Sequence, residues 1–148
     1  MRHGFGEKLK VKKMSSNEKA YNFFLVIFIT MIVLTNIIGV KLFDIKSITL
    51  TTGLITYPLT FLITDIVCEV FGKSKASLMV LMGFFASILS LIFINLAVML
   101  PGSEVWINSS LGYNSVQDMQ NAYESVFTLP GFLISASMLA YLVAQLID

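Results

Sequence analysis

The 148 residues are 56% hydrophobic and 13% charged, a balance that excludes a water-soluble domain of this size and marks an integral membrane protein. Ten Lys and Arg against nine Asp and Glu leave a net charge of +1, so no basic excess points to nucleic acid. One cysteine, Cys68, and one histidine, His3, exclude an internal disulfide and leave little material for histidine-rich zinc or proton-relay chemistry.

Residues 1–20 form a basic arm with Arg2, Lys8, Lys10, Lys12, Lys13 and Lys19 against Glu7 and Glu18, expected in the cytosol. Met14 is an alternative start, which would leave residues 1–13 outside the mature protein. Ser15 followed by Glu18 just ahead of an apolar run has the form of a capping box and sets a helix start. Ala20 to Val40 carries no charge, and its 21 residues reach about 30 Å as a helix, enough to cross a hydrocarbon core. The first span is therefore expected at about 21–41. Near its far end, Asn36 and Lys41 read either as a helix–helix hydrogen bond and a snorkelling lysine or as substrate contacts.

Residues 44–57 are rich in β-branched side chains and contain Gly53, which suits a short extended or re-entrant element. Tyr57 precedes Pro58 and is biased away from helical dihedrals, whereas Pro58 suits a first helical turn. Two readings follow. In one, a helix of about 21 Å from Pro58 to Phe71 or Gly72 follows irregular backbone, with free N–H groups at depth. In the other, a kinked helix begins at Leu50. The second span is expected at about 54–72, with Lys73 and Lys75 in a short basic loop.

The third span, 76–100, is uncharged, and Gly83, Ser87 and Ser90 make a small-residue stripe for close helix packing. Pro101 and Gly102 stop it. The outer loop, 101–129, lacks Lys and Arg and offers Trp106 and Tyr113 as interfacial anchors. Ser115 with Asp118 resembles a cap, and Val116, Met119, Tyr123, Val126 and Phe127 share one face, which describes an amphipathic helix on the membrane surface. A fourth span is expected at 130–148, with Ser137, Tyr141, Gln145 and Asp148 on one polar face. The chain stops there without a polar tail, as a truncated element would.

The whole therefore reads as an all-α integral membrane protein with four transmembrane helices: a 1–20 cytosolic arm and a 21–148 membrane domain. Six of the ten basic residues lie in the arm, two follow the first span, two follow the second and none lie in the loop after the third. Both ends in the cytosol fit this distribution best.

Within this apolar chain Asp65 and Glu69 stand out. A carboxylate near the bilayer centre costs a few kcal/mol or more and is a functional-site hypothesis by default. The four-residue spacing stacks the two on one helix face, and Lys73 would continue the column. Glu69 then reads either as a headgroup-level acid paired with Lys73 or as a ligand contact. Asp65 is a turn deeper, with Tyr57, Thr60 and Thr64 near it. No HExxH motif, nucleophile–base pair or phosphate-binding glycine loop is present, so no enzyme and no cofactor is expected.

TNIIGVKLF (Thr35 to Phe43), YPLTFLITDIVCEVFGKSKA (Tyr57 to Ala76) and SASMLAYLVAQLID (Ser135 to Asp148) resemble the queuosine precursor transporter family, also called vitamin uptake transporters. The resemblance implies an inner-membrane importer of 7-deazaguanine precursors of queuosine for tRNA modification, six-helical in full, with two helices beyond this chain. Its implied partners are a nucleobase-like small molecule and the lipid bilayer, with homo-oligomerisation open. A carboxylate from Asp65 or Glu69 can accept the ring N–H and exocyclic amine of a deazaguanine together. Asn36, Gln145 and Tyr141, with Lys41, Thr60 and Asp148, complete the expected substrate-binding set. A membrane-embedded capture subunit that needs a separate energising complex, or a non-transporting fragment, are the rival readings.

Overall fold

The computed structural model describes residues 14–128 and Ala136. Helix α1, Ser16–Ile38, starts where the capping box places it. The Glu18 amide donates to Ser15 Oγ at 3.2 Å and the Ser15 amide donates to Glu18 Oε2 at 2.7 Å, so two orphan donors are satisfied reciprocally. Gly39 caps the other end, its N–H bonding to the Thr35 carbonyl, three residues before the chain turns into extended backbone.

Strands β1, Leu42–Ile45, and β2, Ile48–Thr51, form an antiparallel hairpin with Leu42 opposite Thr51 and Ile45 opposite Ile48. Lys46 takes a φ of 55°, the left-handed geometry that a two-residue hairpin turn demands. The Thr49 hydroxyl donates to Asp44 Oδ1 at 2.7 Å across the pair. Extended backbone therefore covers Leu42–Thr51 rather than 44–57. A single 3-10 turn, Thr52–Ile55, then leads into α2, Tyr57–Phe71, whose first turn holds Pro58.

Gly72 separates α2 from α3, Lys73–Met99, with φ 89° and ψ 158°, a conformation open to glycine and strained for any other residue. Lys73 consequently opens α3 instead of sitting in a loop. α1, α3 and the apolar stretch Thr52–Phe71 are each long and apolar enough to cross a membrane, three such segments among the described residues. Apart from Ala136, the expected fourth span, 130–148, lies outside the described residues. The fold is that of a helical, multi-pass membrane protein.

Helices α1, α2 and α3 pack against one another. α1 turns in Tyr21, Phe28 and Thr35, spaced by seven; α2 turns in Thr60, Ile63 and Val67; α3 turns in Ala76, Met79, Gly83 and Ser87. These three-, four- and seven-residue spacings put one face of each helix against its neighbours. Lipid gives no hydrophobic drive for helix association, so close van der Waals approach has to supply it. α3 contributes small residues where α1 contributes a large one: a Cβ at Gly83 would lie 2.7 Å from Phe28 Cε1. Val67 and Met79 are fully buried at the seam.

Beyond α3, α4, Val116–Phe127, begins with the expected cap, Asp118 N–H donating to Ser115 Oγ and Ser115 N–H to Asp118 Oδ2. Gln120 Nε2 donates to the Val98 carbonyl at 2.9 Å, tying α4 to the end of α3. Trp106, Tyr123 and Phe127 form a ring series with centroids 5.6 and 4.5 Å apart.

Gly83→Val should drive the Phe28 ring from its notch and cost about 1–3 kcal/mol of stability, read as a lowered thermal midpoint of the detergent-solubilised protein. Adding Phe28→Leu should recover part of the loss; simple additivity of the two penalties would rule out the notch.

Candidate functional site

α2 advances by about 100° per residue, which puts Asp65 and Glu69 about opposite Thr60, Ile63 and Val67 around its axis. The second set is buried against the other two helices, while both carboxylates are exposed. Neither acid has a hydrogen bond or ion pair among the described residues. The Gly72 break carries Lys73 onto another helix, so the acidic column ends at Glu69 and the i, i+4 pair with Lys73 does not form. Phe61 stands one turn before Asp65, and Tyr57 flanks it on the seam side, their ring centroids 5.6 Å apart and tilted by 45°.

The sequence-derived binding residues separate into three places. Asn36 lies between α1 and α3, where its Nδ2 donates to Ser87 Oγ at 3.3 Å; its amide serves helix association. Thr60 is buried on the inner face, its hydroxyl donating to the Tyr57 carbonyl at 2.7 Å and its carbonyl accepting from Thr64. Lys41 is exposed beside β1, its carbonyl accepting from the Thr52 amide at 2.9 Å. The described structure therefore brings Asp65 and Glu69 together but does not join Asn36, Lys41 or Thr60 to them. Tyr141, Gln145 and Asp148 lie outside the described residues.

The start of α2 also differs from a free, anion-seeking helix end. The Thr56 amide donates to the Gly53 carbonyl, and the Leu59 and Thr60 amides both donate to the Thr56 carbonyl. The preceding 3-10 turn thus consumes donors that a broken helix would offer to a ligand.

Sequence reasoning missed a buried hydroxyl cluster at this end of the bundle. Thr35 Oγ1 and Thr56 Oγ1 meet at 2.5 Å, and Thr35 also donates to the Met31 carbonyl at 2.6 Å. Thr51 donates to the Gly39 carbonyl at 2.5 Å and Thr52 to the Ile38 carbonyl. These two bonds satisfy carbonyls left over at the C-terminus of α1, so the hairpin acts as its cap. Gly39 and Gly53 allow the approach: a Cβ on Gly53 would stand 3.6 Å from Gly39 Cα and 3.3 Å from Thr35 Cγ2. The signal available was Thr51 and Thr52 directly before Gly53, which β-propensity alone does not resolve into a cap.

At the opposite end, Tyr21 joins all three helices. Its hydroxyl donates to the Lys75 carbonyl at 3.1 Å, its ring packs edge-on to Phe71 at 5.7 Å, and Lys75 Nζ lies 4.6 Å above it. A cation over an aromatic face is attracted by the ring quadrupole. The start of α1 and the α2–α3 turn are fixed side by side.

A family model described as "Putative vitamin uptake transporter" matches residues 51–148, from the end of β2 through α2, α3 and α4 and onward. No curated protein and no solved structure matches the chain.

Thr35→Val and Thr56→Val should each cost about 1 kcal/mol. The double substitution should cost clearly less than the sum, because both remove one shared bond. Chemical denaturation of the detergent-solubilised variants measures the cycle, and a coupling of zero would remove the cluster's role as a tie.

Proposed function

We propose that this chain, which belongs to the vitamin uptake transporter family, imports a 7-deazaguanine precursor of queuosine, the 7-cyano or 7-aminomethyl form, across the inner membrane for tRNA modification. Membership gives small-molecule uptake by a membrane protein; the substrate is read from the α2 face and from the motifs quoted above. The observation that carries it is the pair of carboxylates on the outward side of a membrane helix. Lipid cannot solvate them, so a polar group must cover that side in the working protein. A deazaguanine offers a ring N–H and an exocyclic amine side by side, and one carboxylate accepts both as charge-assisted hydrogen bonds. The aminomethyl form adds a cation suited to the second carboxylate.

Tyr141, Gln145 and Asp148 are proposed to supply the remaining polar contacts, from the four-residue spacing that aligns Tyr141 with Gln145. The N-terminus is assigned to the cytosol. Support for this comes from Tyr21 on Lys75, which holds the start of α1 beside Lys73 and Lys75, while Lys41 and Lys46 fall at the hairpin end. One pole thus collects most of the positive charge.

Asp65→Asn and Glu69→Gln should each abolish the supply of queuosine to tRNA in a host that cannot make the precursor and is given it in limiting amount. Membrane levels of the protein should stay normal, since neither side chain takes part in the packing. Normal queuosine content with both substitutions present would refute the site.

A further inference from the structure

Tyr57, Phe61, Asp65 and Glu69 follow one another at four-residue steps, about 6 Å each along α2. At about 100° per residue Phe61, Asp65 and Glu69 span about 80° of the side away from the Thr60, Ile63 and Val67 seam, and Tyr57 flanks them about 40° before Phe61. Tyr57 is 45% exposed and Phe61 60% exposed, so both rings keep surface that the described residues do not cover.

Resting on the import reading above, we infer that Tyr57 and Phe61 are the stacking surface of the carboxylate face and determine its specificity for flat, N–H-rich heteroaromatic rings. The alternative role for two exposed rings on a membrane helix is contact with lipid. Lipid would suit the rings but not the acids one and two turns further on, because hydrocarbon leaves a carboxylate without partners. A planar ring with N–H groups on its edge meets both demands. Its π-face lies on Phe61 or Tyr57, as bases stack on aromatic side chains, and its edge donates to Asp65 about 6 Å further along. An anion would be repelled by the acids. A linear polyamine would satisfy the acids and could meet the rings only as a point cation, without the face-to-face area of a stacked ring.

The test replaces Phe61 and Tyr57 separately with Leu, which lipid accepts as readily as an aromatic ring. Uptake of labelled 7-cyano-7-deazaguanine by cells should show a KM raised by about tenfold or more, with maximal rate and membrane level retained, and Phe61→Tyr should restore the wild-type KM. In parallel, thermal stabilisation of the purified wild-type chain by the same compound should be lost in Phe61→Leu. Unchanged KM and unchanged stabilisation in both Leu variants would assign the rings to lipid and overturn the inference. A wild type that is stabilised by the compound yet does not take it up would refute import alone, leaving the stacking surface to stand on the Leu variants. A wild type that neither binds nor imports it would overturn both.

Discussion

The contact on which the arrangement depends is the seating of Phe28 in the notch left by Gly83. In a bilayer the solvent around a helix is as apolar as its side chains, so two helices associate only where shape lets their atoms approach closely. Gly83 opens that approach between α1 and α3, and the Tyr21–Phe28–Thr35 line fixes which side of α1 is used. Val67 and Met79 then fill the space between the three helices. Once Thr60, Ile63 and Val67 are committed to this seam, helix geometry leaves Asp65 and Glu69 on the far side of α2.

Polar ties close the seam at both poles. Tyr21 links α1 to the α2–α3 turn through its hydroxyl and its ring, and the threonine cluster links the end of α1 to the hairpin and the start of α2. Each buried hydroxyl is partnered, and among the described residues no buried side-chain oxygen or nitrogen is left without a hydrogen bond. That matters more here than in a soluble protein, because no bulk water can take the place of a missing partner. The carboxylates are the departure from this rule. Among the described residues Asp65 and Glu69 are exposed on α2 without a hydrogen bond or ion pair.

How much of this was legible in the residues can be followed element by element. Both capping boxes were readable because a cap is a local bond between a hydroxyl and an amide three residues on. Of the two starts left open for α2, Pro58 falls within a residue of the one found and Leu50 does not, because proline removes its own amide and restricts the residue before it. The hairpin's place was blurred, since β-branched residues on both sides of Gly53 satisfy the same propensity. Among the candidate residues the two acids were joined by spacing alone, whereas Asn36, grouped with them as a donor and acceptor, and Thr60, grouped for its nearness to Asp65, have hydrogen-bond partners elsewhere.

By itself the sequence determined that the chain spans a membrane, where α1 starts and that two carboxylates share a helix face, because each of these follows from composition or from contacts within a few residues. The tertiary structure decided which way that face looks. An apolar helix in lipid has almost no amphipathic asymmetry for periodicity to detect, so only packing against Phe28, Met79 and their neighbours could turn Ile63 and Val67 inward. It also decided that Lys73 belongs to α3 instead of the acidic column, since one glycine at φ 89° ends α2 before the next turn can form.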